Sequence, residues 1–268
     1  MEALFTYGFL QRALLAGVFV AIACAILGVF LLLRRDAMIG HGLAHVTFGG
    51  VALGLFLNIL PLGTALVVAI LASLAIMRLK EKAGIHGDTA IGIFSSVGMA
   101  LGIALATLAG RFNVDLLSYL FGDILAIEPV EVWLSIVLAG VIVAVIMLNY
   151  RKLMYLTFDR EAARASGIKT QRFDILLTVL TSITVVLGMK VIGILLVTAL
   201  LVIPAAAGLQ VAVTFKQALS LSCAVSFFSV LVGLSAAFLF DLPASATIVL
   251  LAFVIFGIFF VVRKKKSL

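Results

Sequence analysis

Nine long apolar stretches, separated by short charged or proline-bearing breaks, leave this chain few folds to choose from. They fall at about 10–33, 38–58, 62–79, 88–110, 130–149, 173–189, 191–210, 217–240 and 243–262. A helix needs roughly 20 apolar residues to cross about 30 Å of hydrocarbon. Inside lipid every backbone N–H and C=O must be satisfied within the protein, so only helices and closed barrels cross. These runs are too long and too evenly apolar for barrel strands. Composition agrees, because 12% of the 268 residues are charged, where a soluble domain carries about 25%. The expectation is an all-α, polytopic membrane protein, a single transmembrane unit over 1–268, multi-pass in the cytoplasmic membrane and surrounded by lipid.

Charge placement sets the expected orientation. With nine crossings and the N-terminus outside, sixteen Lys and Arg fall on the inner side and three, Arg12, Arg111 and Lys190, on the outer. Lys and Arg concentrate in cytoplasmic loops, so the C-terminus is expected in the cytoplasm. The net charge of +7 is thus topological, with no stripe suited to nucleic acid. One region strains the count. Residues 173–210 must hold two spans with Lys190 as their break, and a re-entrant helix there would reduce nine crossings to eight. Lys190 itself reads as snorkelling to the outer surface.

The second stretch carries the most unusual chemistry. His41 and His45 lie four residues apart in a run with no other ionisable side chain, and that spacing puts both on one helical face. Ionisable groups inside a bilayer are costly and mark pathways or partners. Imidazole is also a common ligand for Zn, Cu, Fe and Ni. The pair reads either as half of a metal site or as two rings hydrogen-bonded within the bundle. Gly49, Gly50 and Gly54 follow, and small residues of this kind let a neighbouring helix come close. That points to packing near a subunit or pore axis, where a two-fold related copy would complete four ligands.

Other features are weaker. The segment 111–129 is too polar to span and places Asp115, Asp123 and Glu128 outside, followed by Glu131. This acidic face either attracts cations and docks a partner or merely lacks the basic bias of the inner loops. The inner segment 150–172 contains a short helix signalled by Asp159 as N-cap, Glu161 and Ala162 in its first turn, and a stop at Gly167. It lies at the interface or transmits force from a soluble partner. Pro204 interrupts the 191–210 run and kinks it, inertly or as a cavity-lining or gating element. His86 reads as a loop residue and Asp88 as the N-cap of the fourth span. Cys24 and Cys223 read as packing thiols. The first run has no basic leader or small-residue cleavage site ahead of it and reads as a retained span.

Several classes are excluded. No Gly-xxxx-Gly-Lys-Ser/Thr occurs, so ATP is not bound by such a motif. No Gly-x-Ser-x-Gly or His-Glu-xx-His appears, and no catalytic set can be assembled. Two readings besides a metal path remain open at this level. One is a proton-coupled secondary metal carrier using His41 and His45 as a relay; the other is a helix bundle that ligates haem through them.

These stretches together resemble the permease subunits of ABC transporters that import zinc, manganese or iron, the family of the bacterial high-affinity zinc-uptake permease. In that family the second span carries an acidic residue, three spacers and a His. Here His45 matches the His and His41 stands at the acidic position. Tyr119 to Asp123 is similar to the family's Tyr-Leu-Phe-Gly-Asp segment, Glu161 to Ile168 to its Glu-Ala-Ala loop ending in Gly-Ile, Leu195 to Ala207 to its Leu-Leu…Pro-Ala-Ala run, and Pro243 to Leu251 to its Thr-Ile-Val-Leu tail. The resemblance implies a transport permease rather than an enzyme, working as a homodimer with two cytoplasmic ATPase subunits. It implies delivery by an extracytoplasmic metal-binding protein at Asp115, Asp123, Glu128 and Glu131, and coupling through Asp159, Glu161, Ala162 and Gly167. No permanent cofactor is expected. Replacing Asp by His softens the site, which favours Zn2+ over Mn2+ or Fe2+ as the transported ion.

Overall fold

The computed structural model describes residues 8–82, 87–108, 119, 122 and 127–266. Among the described residues nine helices are long and apolar enough to cross a membrane. They are α1 (Gly8–Leu33), α2 (Met38–Leu57), α3 (Pro61–Lys82), α4 (Gly87–Leu108), α5 (Pro129–Phe158), α7 (Thr170–Ile192), α8 (Ile194–Val211), α9 (Phe215–Phe240) and α10 (Ala244–Lys266), with the short α6 (Arg160–Ala165) between α5 and α7. Polar contacts between distant elements sort the helix ends into two sets. Lys80 late in α3 pairs with Asp36 between α1 and α2, and Arg34 after α1 pairs with Asp174 in the first turns of α7. Arg263 of α10 donates to Gln210 of α8 at 2.7 Å. At the opposite end Lys190 of α7 meets Glu131 of α5 at 3.5 Å. The helices alternate in direction, and most of the charged turns collect at one basic end.

α1, α2 and α7 form the interior. α1 packs on α5, α7, α8 and α9; α2 packs on α3, α4 and α7; α7 joins the two groups. In lipid, helices gain nothing by leaving water, so close van der Waals packing and hydrogen bonds must hold them together. Glycine supplies the first. A Cβ on Gly28 of α1 would lie 2.0 Å from the Leu201 carbonyl oxygen of α8, and one on Gly49 of α2 would lie 2.6 Å from that of Gly98 in α4. Hydroxyls supply the second. Ser226 of α9 donates to the Ala21 carbonyl of α1 at 2.9 Å. Thr178, Thr181, Ser182 and Thr184 on the buried face of α7 instead satisfy their hydroxyls within that helix, each donating to the carbonyl four residues earlier.

Three expectations change. The 173–210 region holds two candidate spans, and the break is Gly193, not Lys190: its φ of 85° and ψ of 155° lie where essentially only glycine is comfortable. Lys190 stays helical. α7 is long enough because it begins at Thr170, inside the segment read as a loop, and α8 with 18 residues is about 27 Å long. α5 likewise continues past 149 to Phe158, since Arg151 and Lys152 are good helix formers; only Asp159 turns the chain. Finally, the glycines of α2 are filled from within the chain. Gly50 faces Ala65 and Gly54 faces Thr64 and Pro61 of α3, while Gly49 faces α4, so the close approach they permit is to helices of the same chain. Asp88 sits inside the first turn of α4, which starts at Gly87, and there its charge favours the helix N-terminus. His86 lies outside the described residues.

Candidate metal site

α2 is buried along most of its length, yet Met38 and His41 are exposed and His45 is half-buried. These three share a face, because successive steps of three and four residues return to one side of a helix. The imidazoles meet across one turn, with the two Nε2 atoms 3.2 Å apart. The ring centroids are 4.7 Å apart and the planes cross at 85°. An ion held at about 2.0–2.1 Å by both nitrogens would subtend about 100° across that gap, close to tetrahedral. The same distance fits one ring donating an N–H to the bare nitrogen of the other. Among the described residues no group of three or more His, Cys, Asp or Glu could hold an ion, so the described residues offer two ligands here.

The pair is rigidly mounted. A Cβ on Gly98 of α4 would fall 2.7 Å from the Val46 Cα and 3.1 Å from the His45 carbonyl oxygen, and one on Gly102 would fall 2.7 Å from the Phe48 ring. α4 therefore presses directly on the backbone that carries His45. Gly98 and Gly102 were not singled out from sequence, although their spacing is a small-xxx-small signal as plain as that of Gly50 and Gly54.

At the basic end, α6 is fastened at both termini. The Asp159 carboxylate accepts the Ala162 N–H at 2.8 Å. Gly167, with φ of 80°, lets Ile168 N–H reach the Ala163 carbonyl at 3.1 Å, the helix-stopping geometry expected of glycine. Ala163 is fully buried, and Arg160 donates to Asp174 at 2.6 Å. Glu161, Arg164 and Ala165 face outward and line an open hollow with Arg160. Asp174 is thus a buried carboxylate held by two guanidinium groups, Arg34 from the end of α1 and Arg160 from α6.

Comparison with known proteins identifies the architecture. A model of the ABC 3 transport family matches residues 6–263. The chain belongs to this family. The permease is 32% identical over 268 residues to the manganese transport system membrane protein MntC of Listeria innocua, covering 100% of this chain and 95% of that one. It is 33% identical over 241 residues to the high-affinity zinc uptake system membrane protein ZnuB of Haemophilus influenzae, covering 89% of this chain and 91% of the relative. Among solved structures it is similar to PsaBC from Streptococcus pneumoniae in complex with Fab, with a TM-score of 0.87 at 32% identity, covering 97% of this chain and 93% of that one.

The other site residues of the permease are distributed as follows. Asp115 and Asp123 lie outside the described residues. Glu128 is exposed at the start of α5, where its N–H donates to the Glu131 carboxylate at 3.1 Å, and Glu131 also faces Lys190. Glu131 therefore anchors the start of its own helix. Lys190 lies over the Tyr119 ring, 5.4 Å from its centroid. Pro204 is buried in α8, one turn beyond Leu200, whose carbonyl it leaves without its usual helical donor. Cys24 is buried and Cys223 partly so, and both are free thiols.

Proposed function

We propose that this permease is the membrane-spanning subunit of an ABC importer for divalent metal ions, with Zn2+ favoured over Mn2+. The observation that carries the reading is the pair of Nε2 atoms 3.2 Å apart on an open face in the first half of a largely buried span. Two neutral imidazoles suit Zn2+ better than Mn2+, which prefers oxygen ligands. Relatives named for manganese and for zinc match it at 32% and 33% identity, so donor chemistry, not likeness, supports the choice of ion. A second copy of the chain set against this face would close the coordination shell and bury the imidazoles.

In this mechanism a metal-binding protein delivers the ion at the end opposite the basic turns, near Glu128, Glu131, Asp115 and Asp123. Two ATPase subunits dock at the basic end, which is cytoplasmic, against the exposed Glu161 side of α6. Asp159, Ala162 and Gly167 fix the shape of that helix, so movement of the ATPase is passed to α5 and α7 rather than absorbed in a loop. Pro204 supplies a point at which α8 bends as the path alternates. The ion is held briefly: when the two copies separate, each retains only two nitrogens, and a half-complete shell releases its ion quickly.

The test is uptake into proteoliposomes holding the permease with its ATPase, using Zn2+ against competing Mn2+. His41→Ala and His45→Ala are expected to abolish ATP-dependent Zn2+ uptake while the complex still assembles. His41→Asp is expected to move preference toward Mn2+. Wild-type uptake by the double alanine variant would overturn the metal role, and uptake without ATPase would support a proton-coupled carrier instead.

A further inference from the structure

A cavity of about 770 Å³ opens between α5 and α9 toward the basic end. Both helices pack on α1 but make few contacts with each other, so α1 forms the floor, contributed by Ile26. Ile146 and Leu219 make apolar walls, while Arg151, Lys152 and Lys216 stand around the opening. All three cations are exposed. None of them has a carboxylate within ion-pair distance among the described residues, and no Asp or Glu lines the cavity. The neighbouring cavity beside α6 is different: Arg34, Lys80 and Arg160 line it together with Asp36 and Asp174, which pair with them. At its end nearest the basic turns the gap is closed by Phe215 of α9, whose ring lies 5.7 Å from that of Tyr150 and 5.9 Å from that of Phe158. An opening between two adjacent spans lies on the side of the bundle, the side that spans of this length turn to lipid.

We propose that this cavity binds an anionic phospholipid, with its phosphate among Arg151, Lys152 and Lys216 and an acyl chain along Ile146, Leu219 and the α1 floor. The division of the lining fits an amphiphile: apolar surface deeper in the membrane, uncompensated positive charge where the headgroups lie. A water-soluble anion would use the charges and leave the apolar wall unused. A zwitterionic lipid would use the wall and bring its own cation to three others. Basic pockets between spans at the cytoplasmic surface select anionic headgroups on these grounds, and the volume is in the range of pockets that enclose much of a ligand.

The test is native mass spectrometry of the full chain in detergent, titrated with phosphatidylglycerol or phosphatidylcholine of identical acyl chains. The wild type is expected to retain phosphatidylglycerol about tenfold better or more, since each base near the phosphate contributes about 1 kcal/mol. Arg151→Gln/Lys152→Gln/Lys216→Gln is expected to lose that preference. Arg35→Gln/Arg78→Gln/Arg172→Gln removes equal charge elsewhere and is expected to keep it. Ser220→Trp fills the cavity without touching the charges and is expected to lose the bound lipid, which separates the site from general basicity. Inorganic phosphate in excess is expected not to displace the lipid. Equal retention of the two lipids by wild type, loss in both triple variants alike, full retention by Ser220→Trp, or displacement by inorganic phosphate would each overturn the proposal.

Discussion

Asp174→Asn is the most revealing single change, because it orphans a buried charge while barely altering shape. The Asp174 side chain is 7% exposed and its Arg34 partner 10%, whereas the Arg160 side chain is 47% exposed. The two ion pairs should therefore differ in kind. Breaking a buried pair by neutralising one partner costs about 3–5 kcal/mol, since the remaining charge keeps its desolvation cost without its counter-charge. An exposed pair contributes about 0–1 kcal/mol, as water and salt screen it and two side chains lose freedom. Asp174→Asn is thus expected to destabilise by about 3–5 kcal/mol, nearly all of it through Arg34. Arg160→Gln is expected to cost about 1 kcal/mol or less. Arg34→Met should cost less than Asp174→Asn, because Asp174 retains Arg160. In double-mutant cycles the Arg34/Asp174 coupling should reach about 2–3 kcal/mol and exceed that of Arg160/Asp174. The assay is reversible unfolding in mixed micelles titrated with SDS and followed by circular dichroism. A loss below about 1 kcal/mol for Asp174→Asn, or a larger cycle energy for Arg160 than for Arg34, would refute the reasoning.

Two glycine substitutions probe the packing from opposite directions. Gly98→Ala drives a methyl group into the Val46 backbone 2.7 Å away and is expected to cost about 1–3 kcal/mol, with reduced metal binding because it displaces the turn carrying His45. Gly140→Ala on α5 meets nothing within 4 Å and, by removing a flexible residue from a helix, is expected to stabilise by about 0.5–1 kcal/mol. The same micelle titration compares them, and equal effects would discount the close α2–α4 approach. Gly193→Ala places a side chain at φ 85°, ψ 155° and is expected to cost about 1–3 kcal/mol, read as earlier proteolysis at the α7–α8 junction than in the wild type.

How much of this was legible depended on the distance along the chain over which each feature is built. The nine spans follow from apolar length alone, because the bilayer fixes how long a helix must be. The His41 and His45 contact follows from one turn of helix, and so does the Asp159 cap three residues from the N–H it holds. Gly193 was harder: an apolar stretch with a glycine in it reads the same whether the helix runs through or breaks, and Lys190 drew attention as the nearest charge. The glycines of α2 showed that a close approach exists but not which helix makes it, and α3 and α4 of the same chain make it. Asp174 was missed in the sequence, although an acid just inside an apolar run calls for a partner in a membrane. Its stronger partner is 140 residues away, and nothing local to either residue announces the other. That pairing matters beyond stability. Arg34 opens the turn between α1 and α2, Arg160 opens α6, and both hold the same carboxylate on α7. The exposed helix at the basic end and the turn leading into the histidine span are therefore fixed to one buried point, and neither can shift far without straining or breaking an ion pair. Short-range periodicity thus located the ligands, while the contact that ties the turn before them to α6 at the same end required three segments to be brought together.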